Sequence, residues 1–270
     1  MEPDLRDPEQ RIRLLDDDDR MQRLVGTLRT QGVPLTCFTV MSHAARYLDR
    51  LNALAAATPV EFAVHSFSHD TSNPASDNEV QRSVQTYREL WNSDPSGYRS
   101  PNCLIDDRGI DTLSRAGFMY DSSVVPSVRP DRYAYNNLRF GREPFRFEGP
   151  NGTILELPIA CLGGLRLPLV FSYVKLLGLG AYQTAMNVFP LPDIVVTYFH
   201  PYDLYIDEIA HNIPGWKQYA HRRNGRHAEA MLGDLIGLLK RRGYTFVLMK
   251  DLAATLADRS LIKHQLHQVA

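Results

Sequence analysis

His65 and His69 stand four residues apart in the segment His65-Ser66-Phe67-Ser68-His69, directly after the β-forming run at residues 60–64. Neutral imidazole nitrogens suit Zn²⁺ and similar divalent ions, and two of them at a strand end can converge on one cation. Ser66 and Ser68 are placed to hydrogen-bond around such a site. The spacing alone fits two structural histidines equally well. Arg99, in Gly97-Tyr98-Arg99-Ser100-Pro101, has the planar fork that grips a carboxylate in two places, or forms an ordinary surface ion pair. Asp121, in Tyr120-Asp121-Ser122-Ser123, can orient a histidine, pair with Arg99 or cap a turn. His200 ends the apolar run Thr197-Tyr198-Phe199 and suits general acid–base chemistry near neutrality, or is a packed core histidine. His211, His221, His227, His264 and His267 carry no pattern. GxSxG, P-loop and GxGxxG motifs are absent.

These residues need elements to hold them. Apolar periodicity predicts helices over residues 20–30, 43–57, 77–91, 106–116 and 227–241, the first capped by Asp18 or Asp19 and stopped by Gly32. Runs of β-formers predict strands over 34–40, 60–65, 97–99, 118–120, 153–158, 194–199 and 245–249. Residues 126–150 read as a long ordered loop. Strand–helix alternation of this length implies parallel strands covered by helices, with the chemistry at the strands' carboxyl ends.

The composition narrows the function further. Thirty Lys+Arg against 31 Asp+Glu give a net charge of −1, which argues against nucleic-acid binding. The dense pairs and triplets, Arg222-Arg223 and Lys240-Arg241-Arg242, read as turn and helix-end charge. Three cysteines, Cys37, Cys103 and Cys161, lie too far apart for a zinc ribbon. No apolar leader opens the sequence, and the greasiest stretch, residues 167–192, is broken by Lys175, Gly and Pro. The expectation is a cytoplasmic protein without a transmembrane segment. Nothing in the sequence indicates an oligomeric state.

In order along the chain, HSFSH, GYRSP, GFMYDSS and YFHPYDL resemble the motif series of the polysaccharide deacetylase family, the NodB-homology enzymes, over residues 34–251. The resemblance implies an α/β fold, an irregular (β/α) barrel, forming a single catalytic domain over residues 1–270. It implies hydrolysis of a non-peptide C–N bond, with an acetyl group removed from an N-acetylated polysaccharide, glycan precursor or lipid-linked sugar. His65 and His69 would be ligands of Zn²⁺ or another divalent metal. Arg99 would hold the catalytic base, Asp121 would support the site, and His200 would protonate the departing amine. The family's first motif is a pair of acids closing its first strand. Here residues 16–19 read as a helix cap. Glu2 reads as the tail of an Asp-x-Glu motif and the third metal ligand, with the base and its strand expected before residue 1. Two other readings stay open, a hydrolase of small cyclic amides and a catalytically inactive glycan-binding module. The apolar segment 162–181 is expected as a buried helix or as a wall for a lipid-linked glycan. The aromatic-rich segment 132–147 would stack on sugar rings or pack as a lid.

Overall fold

A computed structural model describes residues 17–131, 133–205, 219 and 222–266. The first helix, α1 (Asp18–Gln31), is capped one residue earlier than expected. The Asp17 carboxylate accepts the Arg20 N–H at 3.0 Å, and Gly32 closes the helix in the left-handed region. Then follow β1 (Leu35–Thr39), two short helices, α2 (Met41–Ala44) and α3 (Leu48–Ala57), and β2 (Val60–Val64). The amphipathic helix α4 (Asp77–Trp91), capped by Ser76, leads to β3 (Gly97–Tyr98), α5 (Asp107–Arg115) and β4 (Tyr120–Asp121).

Between residues 126 and 150 the expected loop contains more order than its composition suggested. A small hairpin, β5 (Val128–Arg129) with β6 (Tyr135–Asn136), precedes β7 (Phe145–Gly149), which pairs antiparallel with β8 (Gly152–Glu156). The greasy segment becomes two helices, α6 (Phe171–Leu177) and α7 (Leu179–Val188). After the short α8 (Pro201–Tyr205) come α9 (Ala228–Arg241), α10 (Met249–Leu256) and β9 (Lys263–Gln265).

The main sheet runs β1-β2-β3-β4-β8-β7-β9. Neighbours from β1 to β4, and β4 with β8, are parallel, so the intervening helices cross over the sheet as the alternation predicted. The α/β architecture is as expected, and the sheet stays open among the described residues, with β1 at one edge.

Two expected strands are corrected. Residues 194–199 form a single bridge, Val196 with Ile159; the Val196 and Tyr198 carbonyls accept from Ala160 and Phe171, both in loops at this point or at a helix start. Residues 245–248 join no ladder, and residue 249 opens α10 instead. The first N–H groups of that helix donate to the Thr36 hydroxyl (3.1 Å) and the buried Glu61 carboxylate (3.0 Å), so partners from β1 and β2 start a helix where composition favoured a strand.

Candidate active site

The parallel ladder gathers the expected residues at one end of the sheet. His65 donates its N–H to Thr39, Arg99 donates to Val64 and Ser122 donates to Tyr98, each at 2.9 Å, so three successive strand exits lie side by side. The loop after β2 then doubles back. Ser66 and His69 both take left-handed backbone (φ 59° and 63°), and the Ser66 hydroxyl accepts the His69 N–H at 2.9 Å. Glu79 of α4 anchors the same loop from beneath, accepting the N–H groups of Phe67 (3.1 Å) and Ser68 (2.9 Å) and the Ser68 hydroxyl (2.9 Å).

The outcome is two imidazoles with ring centres 4.9 Å apart at 74°. His65 Nδ1 lies 2.6 Å from the Arg99 carbonyl oxygen. A carbonyl only accepts, so Nδ1 carries the proton and Nε2 keeps its lone pair, the arrangement a metal-binding histidine needs. Burial, reinforced by His69 alongside, holds the His65 imidazole well below its ordinary value and keeps it neutral. The donor chemistry therefore fits a borderline divalent cation at two positions. The expected third ligand, Glu2, lies outside the described residues, and no group of three potential ligands occurs among those described.

Arg99 is buried and clamped. Its Nε donates to the Ser122 carbonyl (2.9 Å) and Nη2 to the Ser122 hydroxyl (2.7 Å), which in turn donates to the Leu157 carbonyl. The guanidinium lies over Phe38 (4.2 Å) and Tyr198 (5.1 Å). Burial lowers its pKa, and the fields of nearby groups including Asp121 oppose that.

Asp121 is fully buried and bonded to neither a histidine nor Arg99 among the described contacts. Ser123 gives it both a hydroxyl (2.7 Å) and a backbone N–H (3.2 Å), and it shares a hydrogen bond with the equally buried Glu156 of β8. Glu156 accepts the Val124 N–H at 2.9 Å. Burial, and then the charge of Asp121, push the Glu156 carboxyl well above the usual range, so this partner of the pair holds the proton.

His200 sits where the chain turns into α8. Its ring stacks on Tyr202 (4.7 Å, 7°) and meets Tyr198 edge-on (5.3 Å, 86°). A cavity of about 830 Å³ opens between these elements, lined by His65, His69, Arg99 and His200 and by apolar side chains of α1 and α9. Sequence reading missed Glu79, Glu156 and Asp203. Glu156 left a signal, being an acid inside the apolar run Ile154-Leu155-Glu156-Leu157, and Asp203 left another, lying three residues after His200. Glu79 left none, since an acid in the first turn of a helix is ordinary.

The basic triplet falls at a helix end, as expected, with Lys240 donating to the Gln31 carbonyl and Arg242 near Asn187. No helix among the described residues is long and apolar enough to cross a membrane.

Known proteins share family segments and the fold with this chain. The family model described as polysaccharide deacetylase matches residues 8–120, and a domain of unknown function, DUF3473, matches residues 122–254. No curated protein sequence matches significantly. A Mycobacterium smegmatis protein described as a polysaccharide deacetylase shares the fold, with 19% identity over 93% of this chain and 81% of its own and a TM-score of 0.57. Puue allantoinase superimposes with 18% identity over 87% of this chain and 70% of its own, at a TM-score of 0.50. A Pseudomonas aeruginosa PAO1 protein described as a polysaccharide deacetylase gives 18% identity over 87% and 72%, with a TM-score of 0.49. The chain carries a polysaccharide deacetylase family domain over residues 8–120, joined to the DUF3473 segment over residues 122–254.

Proposed function

We propose that this chain is a metal-dependent hydrolase that removes acetyl groups from an N-acetylated glycan, with both matched segments working as one catalytic domain. The observation that carries the reading is the paired imidazoles of His65 and His69, with His65 Nδ1 tied to the Arg99 carbonyl, on the same cavity wall as His200. The second segment is no appendage, since β8 pairs with β4 and the segment supplies Glu156 and His200.

A divalent cation held by His65 and His69 supplies Lewis acidity, which acidifies water and polarises an acyl carbonyl. The protein's own groups do the rest. The Arg99 carbonyl fixes the His65 tautomer, and the Arg99 side chain, held through Nε and Nη2, keeps Nη1 for a carboxylate base. His200 delivers a proton to nitrogen as the C–N bond breaks, which spares the amine from leaving as an anion. Tyr135 and Tyr198 on the cavity wall offer rings to a sugar, a glycan chemistry that matches the family.

The test pairs metal stoichiometry with turnover. The chain should bind about one equivalent of zinc or cobalt, lose it in His69→Ala, and release acetate from N-acetylglucosamine oligomers. His200→Ala should retain the metal and lose turnover. Hydrolysis of cyclic ureides instead of acetylated sugars, or glycan binding by metal-loaded protein without acetate release, overturns the reading.

A further inference from the structure

Asp203 is almost wholly buried, at 1% exposure, three residues after His200. Its Oδ2 accepts the His200 backbone N–H at 2.9 Å, as an acid in the first turn of a helix often does. That capping role accounts for one oxygen only. Oδ1 is buried and makes no hydrogen bond among the described residues, and the same holds for His200 Nδ1, which lies 3.5 Å from Oδ2. A buried carboxylate and a buried ring nitrogen this close satisfy each other once the ring turns slightly, and leaving both unpaired is costly.

The surroundings favour one arrangement. Tyr202 stacked on the ring and Tyr198 against its edge restrict rotation of the imidazole. Lys175, itself buried, donates Nζ to the Asp203 carbonyl at 2.9 Å and fixes the turn from behind. The His200 side chain is 34% exposed although Nδ1 is buried, so its solvent-facing surface lies on the remainder of the ring, toward the cavity. The titratable groups around it are Tyr198, Tyr202, Asp203 and Lys175, with His65 across the cavity.

We propose that Asp203 is a positioning residue for His200. Its carboxylate holds the proton on Nδ1, so that Nε2 is the nitrogen that exchanges protons with the substrate. This rests on the reading of His200 as the general acid. Asp121, bonded to Ser123 and Glu156, is committed elsewhere.

Two readouts test it on the full chain. Nitrogen-15 NMR of histidine-labelled protein should show neutral His200 as the Nδ1–H tautomer, moving toward Nε2–H in Asp203→Asn. That variant keeps an oxygen for the His200 N–H and so preserves the helix start. With N-acetylglucosamine oligomers, Asp203→Asn should lower kcat about 10–100-fold, a part of the roughly 10²–10⁴-fold a general acid contributes, while KM changes less than about twofold. An Nε2–H tautomer in the unaltered protein overturns the proposal without recourse to any variant. So does an Asp203→Asn protein with the original tautomer and full kcat, which would make Asp203 a helix cap alone. Because the tautomer is read without turnover, a chain that deacetylates nothing still decides the role of Asp203.

Discussion

Glu79 and Ser68 are joined twice, the Ser68 N–H donating to one carboxylate oxygen and the Ser68 hydroxyl to the other, both at 2.9 Å. A third bond, from the Phe67 N–H, makes this carboxylate the anchor of the histidine loop. The loop needs an anchor because Ser66 and His69 hold left-handed backbone, each at about 1–3 kcal/mol for a residue with a side chain. Glu79→Gln, which replaces one acceptor oxygen by a donor, is expected to weaken divalent-metal binding by about 10–100-fold, as loss of a supporting contact commonly does. Calorimetric titration with zinc reads this, and an unchanged affinity would make the anchor dispensable.

Gly97 and Gly26 respond oppositely to alanine. A Cβ on Gly97 would run into the ring of Tyr120, which cannot yield because its hydroxyl donates to Glu61 at 2.8 Å inside the sheet. Gly97→Ala should cost about 1–3 kcal/mol or more and disturb Arg99 two residues on. Gly26, exposed within α1 with nothing near its missing Cβ, should gain about 0.5–1 kcal/mol as alanine. Urea midpoints at constant m-value measure both.

Glu156 makes stability fall with rising pH. The unfolded chain releases this proton near the ordinary value of 4.5, whereas the folded chain retains it well above that. Between those two values the native state binds the extra proton, so each step up in pH favours unfolding. Glu156→Gln keeps an acceptor for Val124 and a donor for Asp121 yet has nothing to ionise. Its Tm should climb relative to the original protein from pH 5 to pH 8, where each 1 kcal/mol shows as about 2–4 °C. Melting curves that shift in parallel across that range would mean the pair is not sharing a proton.

Much of the frame was legible because it is local. The helix at residues 77–91 matches α4, and the strands at β1 and β2 fall within a residue of their expected ends, since apolar period and flanking caps lie within each segment. What failed depended on partners. Residues 194–199 and 245–249 are as rich in β-formers as β2, but a strand exists only where a neighbour completes its ladder. β7 was hidden for the converse reason, its Phe145-Arg146-Phe147-Glu148 alternation buried in a turn-rich stretch and made a strand by β8. At the site, His65 and His69 stand out because they follow the end of β2, whereas His200 stands out only as the histidine closing an apolar run that turned out to carry a single bridge. Glu79 and Glu156 act on residues 11 and 32 or more positions away, and no spacing rule reaches that far.

The place of β1 at the sheet's edge has a consequence for how the molecule breathes. Leu35 and Thr39 bond toward β2, so alternation turns the amides of Thr36 and Phe38 away from it, onto the side of the cavity. Those amides trade hydrogen for deuterium through small local openings, whereas Val64, paired with both neighbouring strands, waits for larger ones. His65 extends from that slower strand. The histidine pair is thus hung from the second strand in, and the edge can loosen without letting it go.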